Sequence, residues 1–185
     1  MQLVLASASP RRAELLRSAG FDFIVAPADI EEVPRDGESA ERYTRRVARD
    51  KAAHAASQSG AGHVILAADT EVAVDGSILG KPVDAEDARR MLRMLADRSH
   101  EVLTAVVLMA DGRTADEVAV TRVWFAPLTD REIEWYVASG EPMGKAGAYA
   151  IQGRGARFIE RIDGSWSNVV GLPLATVHRL LCAVQ

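Results

Sequence analysis

Residues 63–82 read HVILAADTEVAVDGSILGKP, and the fold class turns on this stretch. Residues 63–68 form a continuous apolar run of strand length that ends at the carboxylate of Asp69. Residues 71–79 then form a hairpin turning at Asp75-Gly76, the strongest short-range hairpin signal. Moving outward, residues 2–6 and 21–25 are further short apolar strands. Between them Ser9, Pro10 and Gly20 supply an N-cap, a first helical residue and a stop for a helix over 10–19. Ser39 caps a long helix over 40–57, and Asp84 opens an amphipathic helix that runs to 96. Residues 99–109 and 114–125 are two longer strands joined at Asp111-Gly112, and Thr129–Glu132 is a capping box for a helix ending at 139. A strand over 157–162 and a final helix over 173–183 complete the chain. Helices alternating with long antiparallel hairpins predict an α/β protein with a mixed sheet, a single domain over 1–185.

The 185 residues are 48% apolar and 26% charged, which excludes disorder and collagen-like order. One cysteine, Cys182, excludes an intrachain disulfide and suits a reducing compartment, so a cytoplasmic location is expected. No apolar run approaches 18 residues, so no membrane span is expected. The net charge of −4 argues against a sequence-independent nucleic-acid binder, and any anion must be held by a local cluster. Of 22 basic residues only Lys51, Lys81 and Lys145 are lysine, a compact point charge where arginine offers a planar fork.

Four segments carry candidate chemistry. In SASPRR, Ser7 and Ser9 precede a helix N-terminus to which Arg11 and Arg12 add positive charge, the arrangement of a phosphate site. The alternative is that both arginines face solvent or pair with Glu14 and Asp29. In VILAADTEV, an extended chain points Asp69 and Glu71 to one face and Thr70 to the other, and Asp69 reads as a metal ligand or proton acceptor. A strand-end turn aspartate is the plain alternative. Glu31 and Glu32 lie in an acidic loop that either supplies oxygen ligands or is simply solvated. In MGKAGAYAIQGRG, Gln152 sits among glycines, and its amide complements the imide edge of uracil or thymine; an exposed glutamine on a structural loop is the alternative. Arg42, Arg45, Arg46 and Arg49 form a helical stripe that reads as a solvated basic face. The four histidines lack the spacing of a zinc site.

Taken in order, SASPRR, AADT, LGKP, DRSHEVLTAV, KAGAYAIQG and SNVVGLP resemble the Maf family of nucleotide pyrophosphatases over nearly the whole chain. The resemblance implies an inosine-triphosphatase-like fold, an extended mixed sheet with flanking helices forming two lobes around a cleft. It implies metal-dependent hydrolysis of nucleoside triphosphates to monophosphate and diphosphate, with Mg2+ or Mn2+ as the cofactor and Asp69 and Glu32 as its ligands. By the same resemblance Asp69 is the proton acceptor, and Arg12, Thr70 and Gln152 mark the branch acting on dTTP and UTP, with modified pyrimidine nucleotides as further candidate substrates. Ser7, Ser9, Arg11, Arg12, Lys51 and Lys81 fall at phosphate-binding positions. The family is often dimeric and is associated with inhibition of septum formation. The alternatives are the family branch acting on 7-methyl-GTP and a non-enzymatic regulator of cell division. Three positions depart from the family pattern: Glu71 replaces an apolar residue, Gly144 a charged one, and Ala150 a glycine.

Overall fold

The computed structural model describes residues 1–60 and 62–184. Seven strands form one mixed sheet: β1 (Gln2–Leu5), β2 (Phe23–Val25), β3 (His63–Val74), β4 (Ser77–Leu79), β5 (Ser99–Ala110), β6 (Arg113–Phe125) and β7 (Ile159–Asp163). Their spatial order is β2-β1-β3-β5-β6-β7, with β4 also on β3. β1 runs parallel to β2 and β3, and every other pair is antiparallel. Asp75 and Asp111 have φ of 49° and 47°, and the glycines after them 77° each, as two-residue hairpin turns of matching twist require.

Six helices flank the sheet: α1 (Pro10–Ser18), α2 (Ala40–Gln58), α3 (Ala85–Leu95), α4 (Asp130–Ala138), α5 (Trp166–Val170) and α6 (Leu174–Val184). The expected capping box is present, with Thr129 and Glu132 each accepting from the other's backbone. α5 lies where the sequence shows no helical period, and Ser165 caps it by accepting from Asn168 N.

The strand expected to end at Asp69 instead continues to Val74. Asp69 is therefore a mid-strand residue, because β5 pairs with β3 without interruption from Ile65 to Ala73. The alternation along β3 then separates three cores. Even-numbered Leu66 and Ala68 pack with α1 and α6, whereas even-numbered Val72 and Val74 pack with α3 and α4. Odd-numbered Ile65 and Ala67 pack against α2 on the opposite face. Between the two even-face cores stand Thr70 and its partner Thr104 on β5, whose hydroxyls are 2.9 Å apart. This polar pair is the seam between two lobes. Each fully buried leucine in the flanking cores, such as Leu66 or Leu92, contributes about 1.5–3 kcal/mol.

Candidate active site

The cleft opens where the sheet loses a strand. β1 pairs with β3 only as far as Leu66, and β4 rejoins it at Val72, so residues 67–71 have no strand beside them on that edge. Main-chain groups left bare in this way must find other partners. Arg12 supplies one: its Nη1 donates to the Ala68 carbonyl at 2.8 Å and to Ser7 Oγ at 3.1 Å. Its Nε donates to the Gly171 carbonyl at 2.8 Å and its Nη2 to Thr70 Oγ1 at 2.9 Å. Four of five guanidinium N–H groups are thus spent on neutral acceptors. Burial lowers the Arg12 pKa against the opposing pull of Asp69. Arg12 stitches the SASPRR turn, β3 and the α5–α6 junction together, and carries a buried positive charge to the floor of the cleft.

The odd face of β3 presents the acids. Lys51, from α2, has its ammonium 2.7 Å from Asp69 Oδ1 and 2.7 Å from Glu32 Oε1, on a side chain only 9% exposed. Lys81 reaches in from the loop after β4, 3.7 Å from Glu32 on a side chain that is 64% exposed. Glu71 points to the same face as Asp69 and is 6% exposed. Burial, reinforced by the neighbouring Asp69 and Glu32 carboxylates, raises the Glu71 pKa to about 8. Burial pushes Glu32 the same way, but its hydrogen bond to Lys51 and the charges of Lys51, Lys81 and Arg12 hold it below the ordinary range. Asp69 Oδ2 and Glu71 Oε2 are buried and have no hydrogen-bond partner.

These two open oxygens bear on the implied metal. Among the described residues no three His, Cys, Asp or Glu side chains converge into a closed cage. Magnesium does not need one, since it binds through one or two carboxylates and completes its shell with water and substrate phosphates. The donor set fits such a cation. Of the implied ligands, Asp69 keeps one oxygen open, whereas Glu32 lies against the two lysines.

The third wall is the glycine-rich segment after α4. Glu141 clamps it: its carboxylate accepts from Tyr136 Oη at 2.9 Å and from the backbone N–H of Arg154 and of Gly155, each at 3.0 Å. Tyr136 Oη in turn accepts from Ala150 N at 3.1 Å. A Cβ on Gly155 would sit 2.6 Å from both the Ala150 carbonyl and Tyr136 Oη, so only glycine lets the loop close this tightly. The departure at Ala150 is accommodated, with the residue buried and its main chain held. Gln152 is presented on this clamped loop. Beneath it the Tyr149 hydroxyl bonds His100 Nε2 at 2.8 Å, and both rings pack edge-on against Phe125.

Of the residues singled out in the sequence, Ser7, Ser9, Arg11, Arg12, Glu32, Lys51, Asp69, Thr70, Lys81 and Gln152 line one cleft of about 660 Å³, within the ordinary range for ligand sites, whereas Glu31 does not line it. Ser9 occupies the N-cap position but its hydroxyl makes no capping bond, and no acid stands in the first turn of α1, so the positive end of that helix faces the cleft uncompensated. Lys145, Tyr43 and Tyr149 line the same space and were not among the candidates. The signal for Lys145 was present, since all three lysines of the chain face the cleft. Three of the four arginines in the α2 stripe are paired locally: Arg45 and Arg49 share Asp116, and Arg46 pairs with Glu38.

One groove in this α/β fold gathers the cations Arg11, Arg12, Lys51 and Lys81 with the carboxylates of Glu32, Asp69 and Glu71. The chain belongs to the Maf family: residues 2–184 match the family described as Maf-like protein. It is 53% identical over 181 residues to the dTTP/UTP pyrophosphatase of Methylococcus capsulatus, covering 98% of this chain and 90% of that protein. It is 54% identical over 179 residues to the dTTP/UTP pyrophosphatase of Geobacter sulfurreducens, covering 95% and 93%. Among solved structures it resembles the Staphylococcus aureus Ham1 protein, with a TM-score of 0.57 at 16% identity over 99% of this chain and 97% of that one. That likeness is one of fold. No helix among the described residues is long and apolar enough to cross a membrane.

Proposed function

We propose that this chain is a hydrolase that cleaves dTTP and UTP between the α- and β-phosphorus atoms, giving the nucleoside monophosphate and diphosphate. The carrying observation is the meeting of Arg12, Lys51, Lys81 and Asp69, from four separate elements, in one cleft. A nucleoside triphosphate carries close to four negative charges, and its transfer chemistry is mainly positioning and charge stabilisation. The full-length relatives named dTTP/UTP pyrophosphatase support the substrate class.

In this reading the triphosphate lies across the N-terminus of α1, with Ser7, Ser9, Arg11 and Lys81 around its oxygens. Lys51 holds Asp69 by Oδ1, which fixes the carboxylate and leaves Oδ2 without a partner. The oxygen of a water molecule attacks the α-phosphorus, its proton passes to the Asp69 carboxylate, and the bond from the α-phosphorus to the bridging oxygen breaks. Diphosphate departs with that electron pair, its charge met by Arg11 and Lys81. Arg12 acts from behind, holding Ser7 and Thr70 in place and adding a fixed positive potential. A divalent cation, magnesium or manganese, held by Asp69 with Glu32 nearby, would neutralise charge on the phosphates when bound. Gln152, on the loop clamped by Glu141, offers a donor and an acceptor to the imide edge of the base. A site built for that edge rejects bases lacking it, because its polar atoms are left unpaired. The single exposed cysteine suits a cytoplasmic setting.

The test is diphosphate release over a panel of natural and modified triphosphates, with magnesium and with manganese. Turnover of dTTP and UTP should exceed that of GTP and 7-methyl-GTP, and Gln152→Ala should erode the preference. Asp69→Asn should fall by about 10²–10⁴-fold, the usual contribution of a positioned base. Equal hydrolysis of GTP by the wild type would overturn the substrate assignment, and an undiminished Asp69→Asn would overturn the base.

A further inference from the structure

Glu71 has no part in the scheme above, yet it is buried and lines the cleft beside the acid cluster. Its Oε2 has no hydrogen-bond partner, and neither has Oδ2 of Asp69 two residues earlier on the same face of β3. Two residues along a strand are about 6.5–7 Å apart, so both carboxylates reach a point between them and the cleft. Lys51 does not serve that point, because its ammonium already bridges Asp69 Oδ1 and Glu32 Oε1. The missing strand beside residues 67–71 leaves the edge open to an ion. Carboxylate oxygens without donors suit a hard divalent cation, which binds oxygen and keeps its remaining water.

We propose that Glu71 is a direct ligand of a divalent cation, paired with Asp69, so that this chain binds the metal before any nucleotide arrives. The inference rests on the reading of the cleft as a metal-assisted triphosphate site, and it adds a ligand which that reading does not contain.

The experiment is Mn2+ titration of nucleotide-free protein, followed by the electron-paramagnetic-resonance signal of free Mn2+ and by the melting temperature. Wild type should bind one Mn2+ per chain and melt higher in its presence. Glu71→Gln preserves shape and stays neutral among two other carboxylates, so its metal-free melting temperature should not drop. Its Mn2+ affinity should fall at least tenfold and the metal-induced rise in melting should shrink accordingly, while Glu71→Asp retains part of both. Mn2+ binding by Glu71→Gln within twofold of wild type, or no binding by nucleotide-free wild type, would overturn the proposal. Because neither readout uses turnover, a protein that binds Mn2+ through Glu71 yet leaves UTP intact would refute the proposed activity and leave this ligand standing.

Discussion

Replacing Lys51 with methionine should be strongly destabilising. The ammonium lies 2.7 Å from each of two carboxylates on a side chain that is 9% exposed. Methionine fills similar space but leaves Asp69, Glu32 and Glu71 without the cation that bridges Asp69 and Glu32. Removing one partner of a buried ion pair costs about 3–5 kcal/mol, chiefly because the remaining charge stays buried and unpaired. For a chain of this size each kcal/mol moves the melting temperature by about 2–4 °C, so a drop of about 6–20 °C is expected. The loss should also depend on pH. Without Lys51 the folded carboxylates hold protons more tightly than unfolded ones, so the deficit grows as pH rises from about 5.5 to 8 and shrinks on acidification. Urea denaturation of both proteins across that range, without metal, measures it. Adding Asp69→Asn should then recover part of the loss, as coupled sites do. A deficit below about 1 kcal/mol, or one indifferent to pH, would refute the account of Lys51 as the counter-charge that lets this acid cluster fold.

Arg12→Lys keeps the charge but cannot reach the Gly171 and Ala68 carbonyls, Ser7 and Thr70 at once; buried acceptors left bare cost about 1–3 kcal/mol each, so a melting temperature within 2 °C of wild type would contradict the bracing role. Gly155→Ala forces a Cβ to within 2.6 Å of the Ala150 carbonyl and Tyr136 Oη, and should raise KM for UTP more than it lowers kcat, as steady-state kinetics would reveal. Burial lowers the His100 pKa to about 4 from an ordinary 6.5, so the unfolded chain takes up its proton first. Stability from this residue is intact above pH 6.5 and is lost as pH falls through 4; His100→Phe, which does not titrate, should flatten that limb of the stability profile.

The local devices were legible because each is written in adjacent residues. Ser39 and Thr129 cap the helices they precede, and both Asp-Gly pairs with positive φ turn the hairpins they sit in. The ten cleft residues were legible only as fragments, and a family pattern was needed to read them as one set. What escaped depends on partners distant in the chain. A strand's end is set by its neighbours: β5 pairs with β3 through Asp69 as far as Ala73, so the strand does not stop where its apolar run ends at Ala68. The acceptors that Arg12 braces lie as many as 159 positions away, so its spacing suggested a phosphate ligand and gave no hint of a structural brace. Glu141, the residue after Gly140, anchors the glycine loop through backbone groups 13 and 14 positions further on.

The bare stretch of β3 carries a consequence for how such a protein can change over generations. Asp69 and Thr70 are neighbours in the chain yet face opposite sides of the sheet, one toward the acids under α2 and the other toward Arg12. Gaining or losing a single codon in this segment would trade those two faces, sending the hydroxyl among the lysines and the carboxylate into the seam. Point replacement is therefore the open route for altering what the groove accepts, and changes in length are confined to the outer turns.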